Sequence, residues 1–280
     1  MKPEAREQFR RDWGLDEPIP LQYAKWLNQA VNGNLGYSLI SHQPVSDAIA
    51  DRLPATLLLM GVSFALILII SLPLGVWSGA KKGSVFDRIT MLTSFVGFSI
   101  PTFWLGLVLI LIFSVKLNWL PTSGMQDPML TDAALPQKIA DIAKHMVLPV
   151  LTIVIGGLAG LTRYHRFGTI QVLSQEYILA ARARGIPEWR ILYIHALKNA
   201  ALPLITIMGI QLPALVGGSF VIESIFGWPG LGQLGISAVF ARDYPILMGI
   251  LMMSSMLIVV GNLAADFCYA KVDPRIRTRI

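Results

Sequence analysis

Apolar residues along this chain gather in five long blocks, at about residues 53–78, 89–115, 146–161, 200–222 and 245–270. None alternates polar and apolar positions as a half-buried strand would. Leu, Ile, Val, Met and Gly dominate the blocks, and a helix needs about 20 apolar residues to cross a hydrocarbon core roughly 30 Å thick. The pattern predicts an all-α, polytopic membrane helix bundle with five transmembrane helices. The third block is the shortest and carries Gly156, Gly157 and Gly160. Gly156 and Gly160 make a G-x-x-x-G pair, which lets a second helix approach closely, although small residues are common in such helices anyway. Pro73, Pro101, Pro149 and Pro213 fall inside blocks. Each removes a backbone donor and bends its helix, which is tolerated in lipid where neighbours satisfy the freed carbonyls. Several bent helices suit a bundle around a path, whereas any one of them alone reads as a structural kink.

Composition narrows the class. The 280 residues are 54% apolar and 14% charged, against about 25% charged in soluble domains. That excludes a disordered or fibrous chain and argues against an ordinary soluble enzyme. The single cysteine, Cys268, excludes an internal disulfide and a cysteine zinc site. His42, His145, His165 and His195 show no metal-ligand spacing, so no metal or cofactor is expected.

The net charge of +6 is sorted by segment. The turn after the first block, the stretch between the third and fourth, and the tail together hold 13 basic and 4 acidic residues. Residues 1–52, 116–145 and 223–244 hold 10 basic and 12 acidic ones. The positive-inside rule places the first set, with the C-terminus, in the cytoplasm, and no nucleic-acid partner is needed to explain the basic excess. Asp266 is the clear acid within a block. Intramembrane acids are functional candidates by default, but near the cytoplasmic end of its block it can also reach water or a basic loop residue. Residues 1–52 become an extracytoplasmic region without a signal-peptide hydrophobic stretch. The expectation is a missing upstream transmembrane helix; the alternative is that this region translocates with the first block.

The cytoplasmic stretch of about 162–199 is patterned. Good helix formers run over 174–183, with Ser174 as a candidate cap. Gly185 ends the helix in a left-handed backbone and Pro187 blocks continuation. Glu176, Ala180 and Arg184 share one face, beside a second face of Tyr177, Ala181 and Gly185. A second helix is predicted from Pro187 or Glu188 into the fourth block. Helix geometry alone leaves open whether the short helix lies on anionic lipid or meets a protein partner.

These residues resemble the permease subunit of peptide-type ABC importers, the dipeptide, oligopeptide, nickel and glutathione branch. Ala180, Ala181 and Gly185 match the A-A-x-x-x-G core of the family's "EAA" loop. Leu179 stands at the usual glutamate position, and Glu176 is the nearest acid. HALKNAALPLIT at 195–206 agrees with that branch, and so does the 217–234 segment with Glu223, Phe226, Trp228, Pro229, Gly230 and Gly232. Arg242, Asp243, Tyr244 and Pro245, the 273–277 ending, and the upstream runs 15–18 and 33–38 complete a likeness over essentially the whole chain. The family normally begins with a further helix and a P-G-D-P-like turn, both absent here.

The resemblance implies a type I importer-like domain over 53–280, with six helices in the family against five here. Its implied partners are a second homologous permease, two cytoplasmic ABC ATPases, an extracytoplasmic substrate-binding protein and the bilayer of a prokaryotic cell membrane. Glu176, Ala180, Ala181, Arg182, Arg184 and Gly185 would couple to the ATPases, although the two arginines equally serve topology. Glu223, Trp228, Pro229 and Gly230 would shape a gate or simply a packed outer loop. No G-x-x-x-x-G-K-[ST] is present, so the chain is expected not to be an enzyme and ATP hydrolysis belongs to the partners. The alternative is an ion-gradient-driven secondary transporter, which would want several mid-membrane ionisable groups. An intramembrane protease ranks last, since H-E-x-x-H and G-x-S-x-G are absent.

Overall fold

A computed structural model describes residues 16–130, 133–196 and 219–272. Helix α1 (Ile19–Val31) precedes α2 (Val45–Ala80), a 36-residue helix that continues through Pro54 and Pro73. Next come α3 (Val85–Ser99) and α4 (Thr102–Leu109), which runs on as a π-helical stretch, Ile110–Lys116. Helix α5 (Leu135–Leu173) has 39 residues. A short hairpin follows, made of α6 (Glu176–Ala183) and α7 (Glu188–Arg190), the latter extended by the π-helical Ile191–Ala196. Helices α8 (Phe220–Ile225), α9 (Leu231–Ala241) and α10 (Tyr244–Val272) complete the described chain.

Helices α2, α5 and Tyr244–Ala264 of α10 are each long and apolar enough to cross a membrane. Among the described residues this makes three spans, or four if the sharply bent second block is one span, against the five expected. The two limbs of that block, 15 residues each, meet at 94°, and each is shorter than the roughly 20 residues a crossing needs. The break is at Ile100–Pro101. Ile100 is extended, as a residue before proline prefers, and Pro101 starts α4. Most of the fourth block, with Pro213, lies outside the described residues, as do the tail and the side chains of His195, Asp266 and Cys268.

The principal packing joins α2 to α5, and glycine makes it close. A Cβ on Gly75 would stand 2.4 Å from His165 Cβ, and one on Gly79 would stand 2.8 Å from the Arg166 carbonyl. Among the described residues the Gly156/Gly160 pair makes no close helix seam, in keeping with small residues being common in such helices. Gly160 has open space, Gly156 meets Thr102, and the tight third-block contact is Gly157 against Ile67. Leu59, Ile67, Val150, Val154 and Trp228 fill the core of this pair. A second cluster of Val45, Ile49, Leu231, Ala238 and Ile250 ties α9 and α10 to the start of α2. Ile89, Leu92, Phe95 and Phe98 on α3, with Leu251, Val259 and Leu263 on α10, turn outward, as lipid-facing helices do.

Segments that the charge pattern assigns to one side meet in space. At one end, Ser38 and the Leu39 N–H donate to Asp243. There too the Gly124 N–H donates to the Phe226 carbonyl at 2.8 Å. At the other, basic end, the turn 81–84 is fastened to α5 through Asp87 and Arg166.

Candidate functional site

The predicted coupling residues form a knob at the basic end of α5. Helix α5 continues without a breaker through Arg163 and Arg166 to Leu173, so residues 162–173 are helix and the exposed hairpin starts later. Gln175, not Ser174, is the N-cap of α6; the Ser174 hydroxyl instead donates to the Gln171 carbonyl. The C-terminal end is a Schellman arrangement. Gly185 N–H donates to the Arg182 carbonyl at 2.9 Å and Ile186 N–H to Ala181 at 3.2 Å. Gly185 is left-handed, with φ +74°, the conformation such an end requires. Ile178, Ala181 and Ile191 are buried together against Leu173 and Ile186, which sets the hairpin's angle on α5.

The face of Glu176, Ala180 and Arg184 is exposed along its whole length. Tyr177 and Leu179 extend it as an apolar margin. Ala181, also named from the sequence, points inward and holds the helix in place. Arg182 is engaged within the hairpin, its Nε 2.7 Å and Nη2 3.3 Å from the Glu188 carboxylate oxygens. That carboxylate raises the guanidinium's pKa above its ordinary value.

The second predicted group sits near the opposite end of α2. Glu223 is fully buried, and its carboxylate caps α9. Oε2 accepts the N–H groups of Gly232 at 2.7 Å and Gln233 at 3.1 Å. Oε1 accepts the Thr56 hydroxyl at 3.0 Å, and Thr56 in turn accepts the Leu231 N–H at 2.8 Å. Three N-terminal donors of one helix are thereby satisfied by two side chains, and a carboxylate is favoured at such an end.

Trp228 is wholly buried and donates its indole N–H to the Ala55 carbonyl at 2.8 Å. It is therefore an interior anchor and not an interfacial tryptophan. Pro229 lies in the turn between α8 and α9. At Gly230 a Cβ would fall 2.3 Å from Glu223 Oε2 and 2.4 Å from Thr56 Oγ1, and at Gly232 it would fall 2.8 Å from the Phe220 backbone. The W-P-G-L-G run thus folds tightly around Glu223. Between Thr56 and Ala80, α2 rises about 36 Å, at 1.5 Å per residue, so the two groups stand roughly a bilayer apart.

Sequence reading missed a third feature, the Asp87–Arg166 latch. Arg166 Nε and Nη2 donate to the Asp87 oxygens at 2.6 and 2.9 Å. The Ser78 hydroxyl and the Gly83 N–H donate to the same carboxylate. Ser84 caps α3 by accepting the Asp87 N–H. The available signal was local: S-V-F-D has the form of a capping box.

A multi-pass helical membrane subunit, with a small exposed hairpin at its basic end and a buried, carboxylate-capped helix turn at the other, is the class that this geometry defines. The profile described as "binding-protein-dependent transport system inner membrane component" matches residues 71–278, and the N-terminal profile of the same membrane components matches residues 1–60. The chain belongs to that family and is the membrane-spanning permease subunit of such a transport system. Among its relatives is the oligopeptide transport system permease protein AppB of Bacillus subtilis (strain 168). It is 48% identical over 97% of this chain and 84% of the relative. A putative peptide permease protein of Brucella suis is 40% identical over the same shares. The glutathione transport system permease protein GsiC of Escherichia coli (strain K12) is 37% identical, again over 97% and 84%. The MetNI methionine ABC transporter in an inward-facing conformation shares the fold. Its TM-score is 0.62 and its identity 20%, over 80% of this chain and 96% of that one.

Proposed function

We propose that this subunit forms half of an ATP-driven import path for peptides or similar small solutes. A second homologous permease supplies the other half, two cytoplasmic ABC ATPases drive it, and an extracytoplasmic binding protein delivers the solute. The chain itself hydrolyses nothing. The basic end, with the C-terminus, faces the cytoplasm. The observation that carries the reading is the α6 face of Glu176, Ala180 and Arg184, exposed on a knob whose angle is set by Ile178, Ala181 and the Gly185 turn. An ATPase that grips this face and closes moves the end of α5. Because α5 packs on α2 along the Gly75 and Gly79 seam, the movement is passed as a rigid-body shift to the Glu223 knot. There the W-P-G segment shapes the outer end of the path.

The ion-gradient alternative is not favoured. Asp87, Glu223 and Asp243 are each already satisfied by donors within the chain, which leaves none of them as a free relay for a coupling ion. The test is uptake of a labelled oligopeptide into proteoliposomes holding the assembled complex. ATP on the ATPase side is expected to drive uptake with all ion gradients collapsed. Uptake that follows a proton or sodium gradient without ATP would contradict the reading.

A further inference from the structure

Between the basic-end part of α2 and the α6–α7 hairpin lies a cleft of about 630 Å³ for which coupling and transport give no use. Leu72, Val76, Leu173 and Leu192 form its apolar walls. Trp77 and Trp189 stand at its rim, 52% and 58% exposed. Each ring carries a cation: Lys81 Nζ lies 5.3 Å from the Trp77 centroid, and the Arg190 guanidinium 5.5 Å from that of Trp189. Three charged side chains line the cleft, Lys81, Arg182 and Glu188. Arg182 and Glu188 neutralise one another as a bidentate pair, and Lys81 meets no carboxylate among the described residues. The lining is therefore an apolar slot with one uncompensated positive charge at its mouth; Lys82 sits in the adjoining turn and Arg88 near the start of α3.

We propose that this cleft is a binding site for one anionic phospholipid, its phosphate on Lys81 and an acyl chain between the walls. Tryptophans with basic neighbours mark the headgroup level of a bilayer, and basic pockets between transmembrane helices on the cytoplasmic side suit anionic headgroups. The apolar slot beneath that level fits an acyl chain, each buried methylene of which adds affinity. Within the lining itself a free anion would find one unpaired cation, Lys81, and no walls to hold it. Because the bound lipid touches the Arg182–Glu188 pair and Trp189, its occupancy biases where the hairpin rests. The anionic lipid content of the bilayer thereby tunes coupling. The inference rests on the membrane placement of the chain and not on transport, and lipid binding is read separately from uptake.

The experiment is native mass spectrometry of the purified full chain offered phosphatidylglycerol or phosphatidylcholine of equal chain length. Wild type is expected to retain phosphatidylglycerol preferentially. Lys81→Gln should lower that retention about five-fold, the effect of one basic contact at an anionic surface, while Lys82→Gln, outside the lining, leaves it in place. Leu192→Trp, which fills the slot, should lower retention of both lipids. Equal retention of the two lipids by wild type, or equal losses in the two lysine variants, would overturn the site. Displacement by excess inorganic phosphate would make a free anion the ligand and overturn the lipid. A co-purifying protein lost in Leu192→Trp with lipid retention unchanged would do the same.

Discussion

Arg166 on α5 grips Asp87 through two parallel hydrogen bonds, at 2.6 and 2.9 Å, and so fastens the turn between α2 and α3 to a helix 79 residues further along. The carboxylate also accepts from Ser78 and from the Gly83 backbone, which leaves it little room to move. Breaking a buried pair from one side strands the other charge and typically costs about 3–5 kcal/mol. Arg166→Ala is expected to lower the detergent melting temperature and the amount of subunit in the membrane. An Asp87→Arg/Arg166→Asp exchange should not rescue it, because Ser78 and Gly83 would then donate toward a cation. Full recovery in the exchanged pair would show that charge neutrality alone matters there.

Glu223 offers a second stability test. Glu223→Ala leaves the N–H groups of Gly232 and Gln233 and the Thr56 hydroxyl without their acceptor in a buried site. Each such orphan costs about 1–3 kcal/mol. Glu223→Gln keeps one carbonyl oxygen and should lose less. Thermal unfolding of the purified subunit checks the order, with Ala below Gln and Gln below wild type. An alanine variant as stable as wild type would mean that the cap carries no net energy.

The glycine seam makes a contrasting pair of predictions. At Gly75 any Cβ collides with His165, while Gly160 has open space around it. Gly75→Val should separate α2 from α5 and sharply reduce the folded subunit recovered from membranes. Gly160→Ala should be tolerated, or gain slightly from its better helix propensity. Similar yields from the two variants would contradict the packing described.

Gly185 separates coupling from folding. No neighbouring atom lies within 4 Å of a Cβ placed there, yet its φ of +74° strains any L-residue by about 1–2 kcal/mol. Gly185→Arg is therefore expected to insert in the membrane at near-normal levels. It should fail to retain the ATPase on purification and lose uptake, because the side chain projects beside the exposed α6 face. Normal ATPase recovery and normal uptake in this variant would remove the hairpin from the mechanism.

Much of this organisation is readable from local chemistry. The apolar blocks give the spans α2 and α10 and the middle of α5, Gly185 with Pro187 gives the hairpin turn, and segment charge gives the grouping of loops at each end. What escapes is set by contacts distant in sequence. Pro101 announces a bend but not 94°, since the angle depends on α4 docking against α8, where Gly106 leaves room for Phe226. The G-x-x-x-G spacing occurs at both Gly75/Gly79 and Gly156/Gly160, and only packing tells which pair the helices use. Helix α5 outruns its apolar block because Arg163 and Arg166 are good helix formers and do not end a helix. From its neighbourhood in the chain, Glu223 fits a gate or a packed outer loop equally. Thr56, 167 positions away, is what turns it into an interior cap.

Site-specific photo-cross-linking from position 180 in living cells asks whether α6 meets an ATPase or the bilayer. A photoreactive residue replacing Ala180 sits in the middle of the exposed α6 face, and one replacing Phe95 sits on an outward face of α3. An adduct between position 180 and a P-loop ATPase subunit, identified by mass spectrometry, is expected, with none to that subunit from position 95. Lipid adducts alone at position 180, with no ATPase captured, would contradict the proposed coupling and leave α6 as a helix resting on the bilayer.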